Sequence, residues 1–430
     1  MLRHAISASS LDGQSSSESS VYVPLDILHT IADILAKEDD LATLGSLALT
    51  HRDLCAVCQS HIFSTIDLAY PTAQQYLGFI DTITSNPSLS RHTRKLNLYL
   101  PLKVVDNPEV AAQLPWVLEQ LSEVTSLDLR SSELSWPNIE VRLRTTLENF
   151  IQSSKLIELY IGLFACVPIV KLVILASNLR HLHLGRLRGP NLDFPSTTIS
   201  GITSASQLES LKIFEDQCNL VRSLLQAKMS NGNAHCDFRQ LTRVSMRLLS
   251  NAACKQVQEI CSIMPSLRHL KLEGKFTIQI FYSLTISSTS VGSIASLSDL
   301  FMGPGSSAFK GVLTLSLVLM PFWPNGDPLC GFTDGLVFYP AGNELEEVEI
   351  HVTVSNIKEE HWRPLDESLS NRNVFSCLAR VRIIVGLENW NGDDLSKKPT
   401  LDLAERYFRN LRRVCGEGLS ILVSFGADGP

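Results

Sequence analysis

One short pattern recurs along most of this 430-residue chain: leucine, two residues, leucine, one residue, leucine, with conservative apolar replacements. It reads VTSLDL from Val124, LIELYI from Leu156, LRHLHL from Leu179, LESLKI from Leu208, LTRVSM from Leu241, LRHLKL from Leu267, LEEVEI from Leu345 and LARVRI from Leu378, and more loosely Lys95 to Tyr99. Successive copies lie about 23 to 45 residues apart, a spacing that signals an internal repeat. Within a copy the period is two, as in a strand; between copies it becomes 3.6. Ala253, Val257, Ile260, Cys261 and Met264 share one helical face, and Pro265 stops that helix before LRHLKL. Leu143, Leu147, Phe150 and Ile151 do the same before LIELYI, and Leu220, Val221, Leu224 and Leu225 follow LESLKI. A strand with its helix leaves one face uncovered, so such units are stable when stacked into a curved parallel sheet with the helices outside. The expected fold class is α/β.

The first 70 residues read differently. A Ser-rich start, residues 1–20, is too poor in apolar groups to order itself. Pro24 suits a helix start, and Leu25, Leu28, Ile31, Ala32 and Leu35 follow at helical spacing, with Ile27 and Ile34 widening the stripe. Asp39 is the expected cap of a second helix carrying Leu41, Leu44, Leu47 and Ala48, and Thr50 with Asp53 forms a capping-box pattern for a third. That third helix holds His51, Cys55, Cys58 and His61. Four ligands spread along about 15 Å of one straight helix cannot converge on a tetrahedral ion. The cysteines share the apolar side of the helix, where a thiol packs as a small hydrophobe.

The segment VPLDILHTIADILAKEDDLATLGSLALTHRDLCAVCQSHIFSTIDL resembles an F-box, in particular the F-box-like proteins that fungi encode in large numbers. Pro24 and Leu25 open the first helix, Ile27, Leu28 and Ile31 follow, Asp39 and Asp40 precede Leu41, and Leu47 to Leu49 run into Thr50 and Arg52, with Phe63 at the apolar end. Val23 stands where the family has leucine, and Leu54 and Cys55 stand where a tryptophan commonly occurs. The remainder is similar to the leucine-rich repeat horseshoe in an irregular form: Ser132, Leu187 and Asp216 occupy the family's asparagine or cysteine position. The expected organisation is a tail over 1–20, an F-box-like module over 21–68 and a leucine-rich-repeat-like solenoid over 69–430. The resemblance implies a substrate-recognition subunit of a Skp-cullin-F-box ubiquitin ligase. Its module would dock on a Skp-family adaptor, and through it a cullin, by Pro24, Leu25, Ile27, Leu28 and Ile31, while its repeats hold an unknown protein substrate. The alternative is a non-ligase scaffold whose diverged F-box no longer binds the adaptor.

In a repeat strand the residues between the motif leucines project from the open face. This gives a ladder of pairs: Ser126 and Asp128, Glu158 and Tyr160, His181 and His183, Ser210 and Lys212, Arg243 and Ser245, His269 and Lys271, Thr314 and Ser316, Glu347 and Glu349, Arg380 and Arg382. The central set His181, His183, Lys212, Arg243, His269 and Lys271 is cationic or nearly so, and Asp128, Glu158, Glu347 and Glu349 flank it. An acidic or phosphorylated substrate segment would complement that order. The period is least regular over 275–311, from FTIQIFYSLTI into a Ser/Gly-rich run, and the end reads as a helix over Leu401 to Cys415, closed by Gly416 and Gly418 before the strand LSILVSF.

A formal charge of −7 and a pI near 5.9 argue against broad electrostatic attraction to nucleic acid or anionic lipid. The start lacks the apolar core of a secretory signal and no long apolar run occurs, so cytosol or nucleus is the expected compartment, with the ten cysteines as thiols. GPGSSAFKG lacks the glycine before Lys310 and the hydroxyl after it that a phosphate loop requires. With neither a nucleophile elbow nor a zinc-protease helix, no enzyme activity, cofactor or metal is expected.

Overall fold

The computed structural model describes residues 24–153, 155–187, 206–214, 224, 236–248, 257–258, 260–274, 301, 309–319, 329, 332–354, 359–387 and 406–425. They divide into two compact units, meeting in sequence between Ser64 and Thr65. The expectations for 1–20 and, almost entirely, for FTIQIFYSLTI and the Ser/Gly-rich run lie outside the described residues.

The first unit is three helices, α1 (Leu25–Lys37), α2 (Leu41–Ala48) and α3 (Arg52–Ile62). Ala32, Leu44, Leu54 and Cys58 form its fully buried centre, and Leu28, Leu35, Leu47, Val57 and Ile62 pack around them. Both expected caps shift by one residue. Asp39 has φ +59°, a left-handed conformation rather than that of a cap, and Asp40 accepts the Thr43 N–H at 3.0 Å and its hydroxyl at 2.6 Å. These bonds hold the Asp40 carboxyl below its ordinary pKa. Thr50 donates back to the Leu47 carbonyl at 2.7 Å, so His51 caps α3 instead, its Nδ1 accepting the Asp53 N–H at 3.2 Å. Cys58 is buried, which pushes its thiol pKa up, and His61 Nε2 lies 2.9 Å from Asp33. Of the His-Cys-Cys-His stretch, His51 thus serves as a cap, Cys58 as a core packing group and His61 as a polar partner of Asp33, while Cys55 is half-buried outside the core cluster. A unit of about forty residues with so small a centre is marginal by area burial alone.

The second unit is built on twelve parallel strands: β1 (Thr65–Leu68), β2 (Lys95–Tyr99), β3 (Ser126–Arg130), β4 (Glu158–Gly162), β5 (His181–Leu184), β7 (Ser210–Ile213), β9 (Arg243–Leu248), β10 (His269–Gly274), β11 (Thr314–Leu319), β12 (Glu347–Val354), β13 (Arg380–Leu387) and β14 (Leu419–Phe425). Their spatial order is their order in the chain, and β6 (Ser206–Gln207) and β8 (Cys236–Asp237) pair separately. Thr65–Leu68, assigned from sequence to the helical module, pairs with β2 as the first strand of the sheet. Every described motif copy is a strand whose apolar positions are buried, from Leu127 and Leu129 to Val381 and Ile383. Helices α4 (Ala73–Ser85), α5 (Leu102–Val105), α6 (Pro108–Gln120), α7 (Val141–Ile151) and α8 (Ile169–Leu175) connect the early strands. Leu143, Leu147 and Ile151 of α7 are buried, as are Val257, Ile260, Cys261 and Met264 before β10.

Register is set at the strand entrances by the backbone. The carbonyl of Thr125 accepts the N–H groups of both Ile157 and Glu158; that of Ile157 accepts those of Arg180 and His181. The same double acceptance continues from Arg180, Glu209, Thr242, Arg268, Leu313 and Glu346 to the next repeat. Because the bonds are main-chain, they form with any side chain but proline's, which removes the N–H donor. Two buried polar side chains tie loops and helices together, whereas Thr93 Oγ1, Asn97 Oδ1 and Trp362 Nε1 are buried without a hydrogen-bond partner among the described residues. Asn343 donates to the carbonyls of Pro340 and Val374 at 2.8 and 2.7 Å and accepts the Leu345 N–H at 3.1 Å. Asp366, in the helix Glu359–Leu369, accepts the N–H groups of Asn410 and Leu411 at the start of the helix Arg409–Cys415. Gly416 ends that helix at φ +57°. Among the described residues, no helix is long and apolar enough to cross a membrane.

Candidate functional site on the open sheet face

The strands alternate half-exposed and buried residues, so one face of the sheet belongs to the core and the other is open. On the open face, register aligns Ser126, Glu158, His181, Ser210, Arg243, His269, Thr314, Glu347 and Arg380 in one row. Asp128, Tyr160, His183, Lys212, Ser245, Lys271, Ser316, Glu349 and Arg382 form the next. The six candidates His181, His183, Lys212, Arg243, His269 and Lys271 therefore stand on four consecutive strands of one face. Their charges are not equivalent. Lys271 is 2.9 Å from Glu273. Burial holds the His183 imidazole below its ordinary pKa, against the opposing pull of Glu158, so the ring is neutral at pH 7.

The flanking acids have partners of their own. Asp128 binds Arg130 through two parallel bonds of 2.7 and 2.5 Å, which makes that guanidinium still more basic. Glu158 accepts the Ser126 hydroxyl at 2.9 Å. Glu347 pairs with Arg380 at 3.1 Å, and Glu349 lies 3.4 Å from Arg382 and 3.2 Å from His351. Uncompensated positive charge thus concentrates on β7 and β9: among the described residues no carboxylate lies within 4.0 Å of Lys212, Arg243 or Arg247.

A feature that leucine periodicity does not announce lies beside this charge. The Tyr160 ring extends along the face over Gly162 and Gly185: a Cβ at Gly162 would lie 2.7 Å from the ring, and one at Gly185 would lie 2.5 Å from the hydroxyl. Arg130 is 4.4 Å from the ring centroid, His183 meets the ring edge-on at 6.5 Å, and Phe214 follows at 6.2 Å with Lys212 Nζ over it at 4.6 Å. The result is a polar-rimmed aromatic shelf suited to extended chain. Burial keeps the Tyr160 phenol protonated. Arg130, Phe214 and the two glycines were outside the candidate set because they follow the motif rather than fall within it. The signal in sequence was glycine just past the strand-forming residues of LIELYI and LRHLHL, leaving room for a neighbour's ring.

Among the described residues no group of three or more His, Cys, Asp or Glu side chains gathers as a metal site. On the helical unit, Ile27, Ile31 and Ile34 fall within about 60° of one another around α1. All three are exposed, at 48, 40 and 48%. Leu28 is turned about 90° from the stripe and packs against the core, Leu25 is exposed but lies further round the helix, and Pro24 is exposed at the helix entrance. No family model matches the chain, and no curated protein matches it.

Proposed function

We propose that this protein is the substrate-recognition subunit of a Skp-cullin-F-box type ubiquitin ligase, with the three-helix unit an F-box that binds a Skp-family adaptor and the sheet face a leucine-rich-repeat platform for a protein substrate. The observation that carries the reading is the α1 stripe of Ile27, Ile31 and Ile34, apolar and exposed on a unit whose own core closes without them. Three adjacent isoleucines held in water on so small a unit favour a partner that covers them. The repeat sheet beside it in the chain offers a long polar and aromatic surface. Its action would be to raise the effective concentration of a bound substrate near the ligase's conjugating enzyme. No covalent step is assigned to this chain.

Co-purification of the full chain with a Skp-family adaptor tests the reading. Ile27→Asp places a charge on the exposed stripe without entering the core, so the fold should persist while the complex weakens at least tenfold. Leu28→Asp is less informative, because Leu28 packs against the buried centre. Absence of a complex, or one indifferent to both Ile27→Asp and Ile31→Asp, would overturn the proposal.

A further inference from the structure

Ser245 occupies an unusual place on the sheet face. Its neighbours along β9 on that face are Arg243 and Arg247, and its register partners on the adjoining strands are Lys212 and Lys271. A small hydroxyl is therefore surrounded by four cationic side chains at the four nearest positions of the face, about 5 to 7 Å away between Cα atoms. Like charges at neighbouring positions of a sheet repel. One of the four is paired, Lys271 with Glu273 at 2.9 Å, and Lys212 Nζ lies over the Phe214 ring at 4.6 Å, which supplies no counter-charge. For Arg243 and Arg247 the described residues supply no carboxylate within 4.0 Å, although Glu273 is the register partner of Arg247. The remaining groups facing the ring are His269 and Ser210 beside Arg243, and His183 beside Lys212.

We infer that the ring of Lys212, Arg243, Arg247 and Lys271 around Ser245 is a binding site for a phosphoryl group. A single carboxylate would leave much of this charge unbalanced, whereas a phosphate dianion offers three acceptor oxygens to two guanidinium forks and two ammonium groups. Serine at the centre leaves the space that a larger residue would fill. Phe214, just past the end of β7, and Tyr160, on β4 two strands beyond it, lie where the chain carrying a phosphorylated side chain would continue. A free phosphate compound presents the same chemistry to the ring. The site does not depend on adaptor binding by the helical unit, so either assignment can fail without the other.

The full chain is titrated by calorimetry with inorganic phosphate, with a short peptide carrying phosphoserine, and with the same peptide carrying serine or glutamate. At least one phosphate ligand should bind, and tenfold or more tightly than the serine or glutamate peptides, with affinity falling as salt rises. A peptide much tighter than inorganic phosphate assigns the site to phosphorylated protein, equal affinity to free phosphate compounds, and both outcomes support it. Arg243→Gln and Arg247→Gln should each weaken binding about tenfold, whereas Arg380→Gln, on the same face but paired with Glu347, should not. Ser245→Glu should abolish phosphate binding and raise the thermal midpoint, because the carboxylate supplies the missing counter-charge, an effect that loss of folding cannot imitate. No phosphate binding, equal binding of the serine peptide, or equal loss in Arg380→Gln would overturn the inference.

Discussion

The Tyr160 ring rests on Gly162, two residues further along its own strand, in the space that a side chain at 162 would take. A methyl group there would meet Tyr160 atoms alone among its nearest neighbours, at 2.7 to 3.1 Å. Gly162→Ala should therefore lower stability by roughly 1–3 kcal/mol, the usual range for overpacking. In a Tyr160→Ala background the same change should cost less than half as much. Urea denaturation of the four proteins of this cycle measures the coupling, and strict additivity would show that the ring is not held as described.

Asp366 acts at a distance as the cap of the helix Arg409–Cys415, accepting the Leu411 N–H at 2.7 Å and the Asn410 N–H at 3.1 Å. Asp366→Asn keeps one acceptor oxygen and Asp366→Ala none. Expected losses are about 1 and about 2 kcal/mol, since an unpaired buried N–H costs on that order. Hydrogen exchange should report faster exchange at 410 and 411 in both variants, with protection across β3 to β5 unchanged.

His183 gives the second unit a pH dependence of definite sign. Burial depresses its folded-state pKa below the ordinary value of 6.5, so the unfolded chain binds the proton more readily. Stability from this residue is present above about pH 6.5 and declines as pH falls below it. His92 is shifted the same way, by burial first and then by Arg91 and Arg94. His183→Gln should flatten the stability profile between about pH 7 and 5 relative to the parent. A steeper profile would contradict the assignment.

The cysteines differ in reactivity by environment. Cys58 is buried with its thiol pKa raised, and burial pushes that of Cys261 up to about 12, whereas Cys377 is exposed. Alkylation of the native protein at pH 7.5 followed by mass spectrometry should label Cys377 before either of the buried thiols. Early labelling of Cys58 would mean that the helical unit opens readily.

Strand positions were legible because alternation is local: Leu127 with Leu129, or Leu270 with Leu272, needs only the pleat to define a face. The open-face ladder followed at once, and register aligned it without a slip. Helix caps were missed by a residue because Asp39 and Asp40, or Thr50 and His51, differ by backbone angles that composition does not encode. The charge pattern misled for a deeper reason. Glu347, Glu349 and Asp128 look like flanking negative charge in a row of letters, yet each is consumed by Arg380, Arg382 or Arg130 across or along a strand. The Tyr160 shelf and the cationic ring around Ser245 needed residues from different repeats, and their proximity exists only once the strands are stacked.

The double hydrogen bonds at the strand entrances carry a consequence for how such a protein can change. Stacking is written chiefly in main-chain atoms and buried leucines, with half-exposed pairs such as Glu347 and Arg380 adding to it at particular rungs. Substitutions at Ser210 or Ser245 can alter what the surface reads while the scaffold stays intact. The face behaves as a rewritable strip, on which a new specificity needs a few point changes and no new fold.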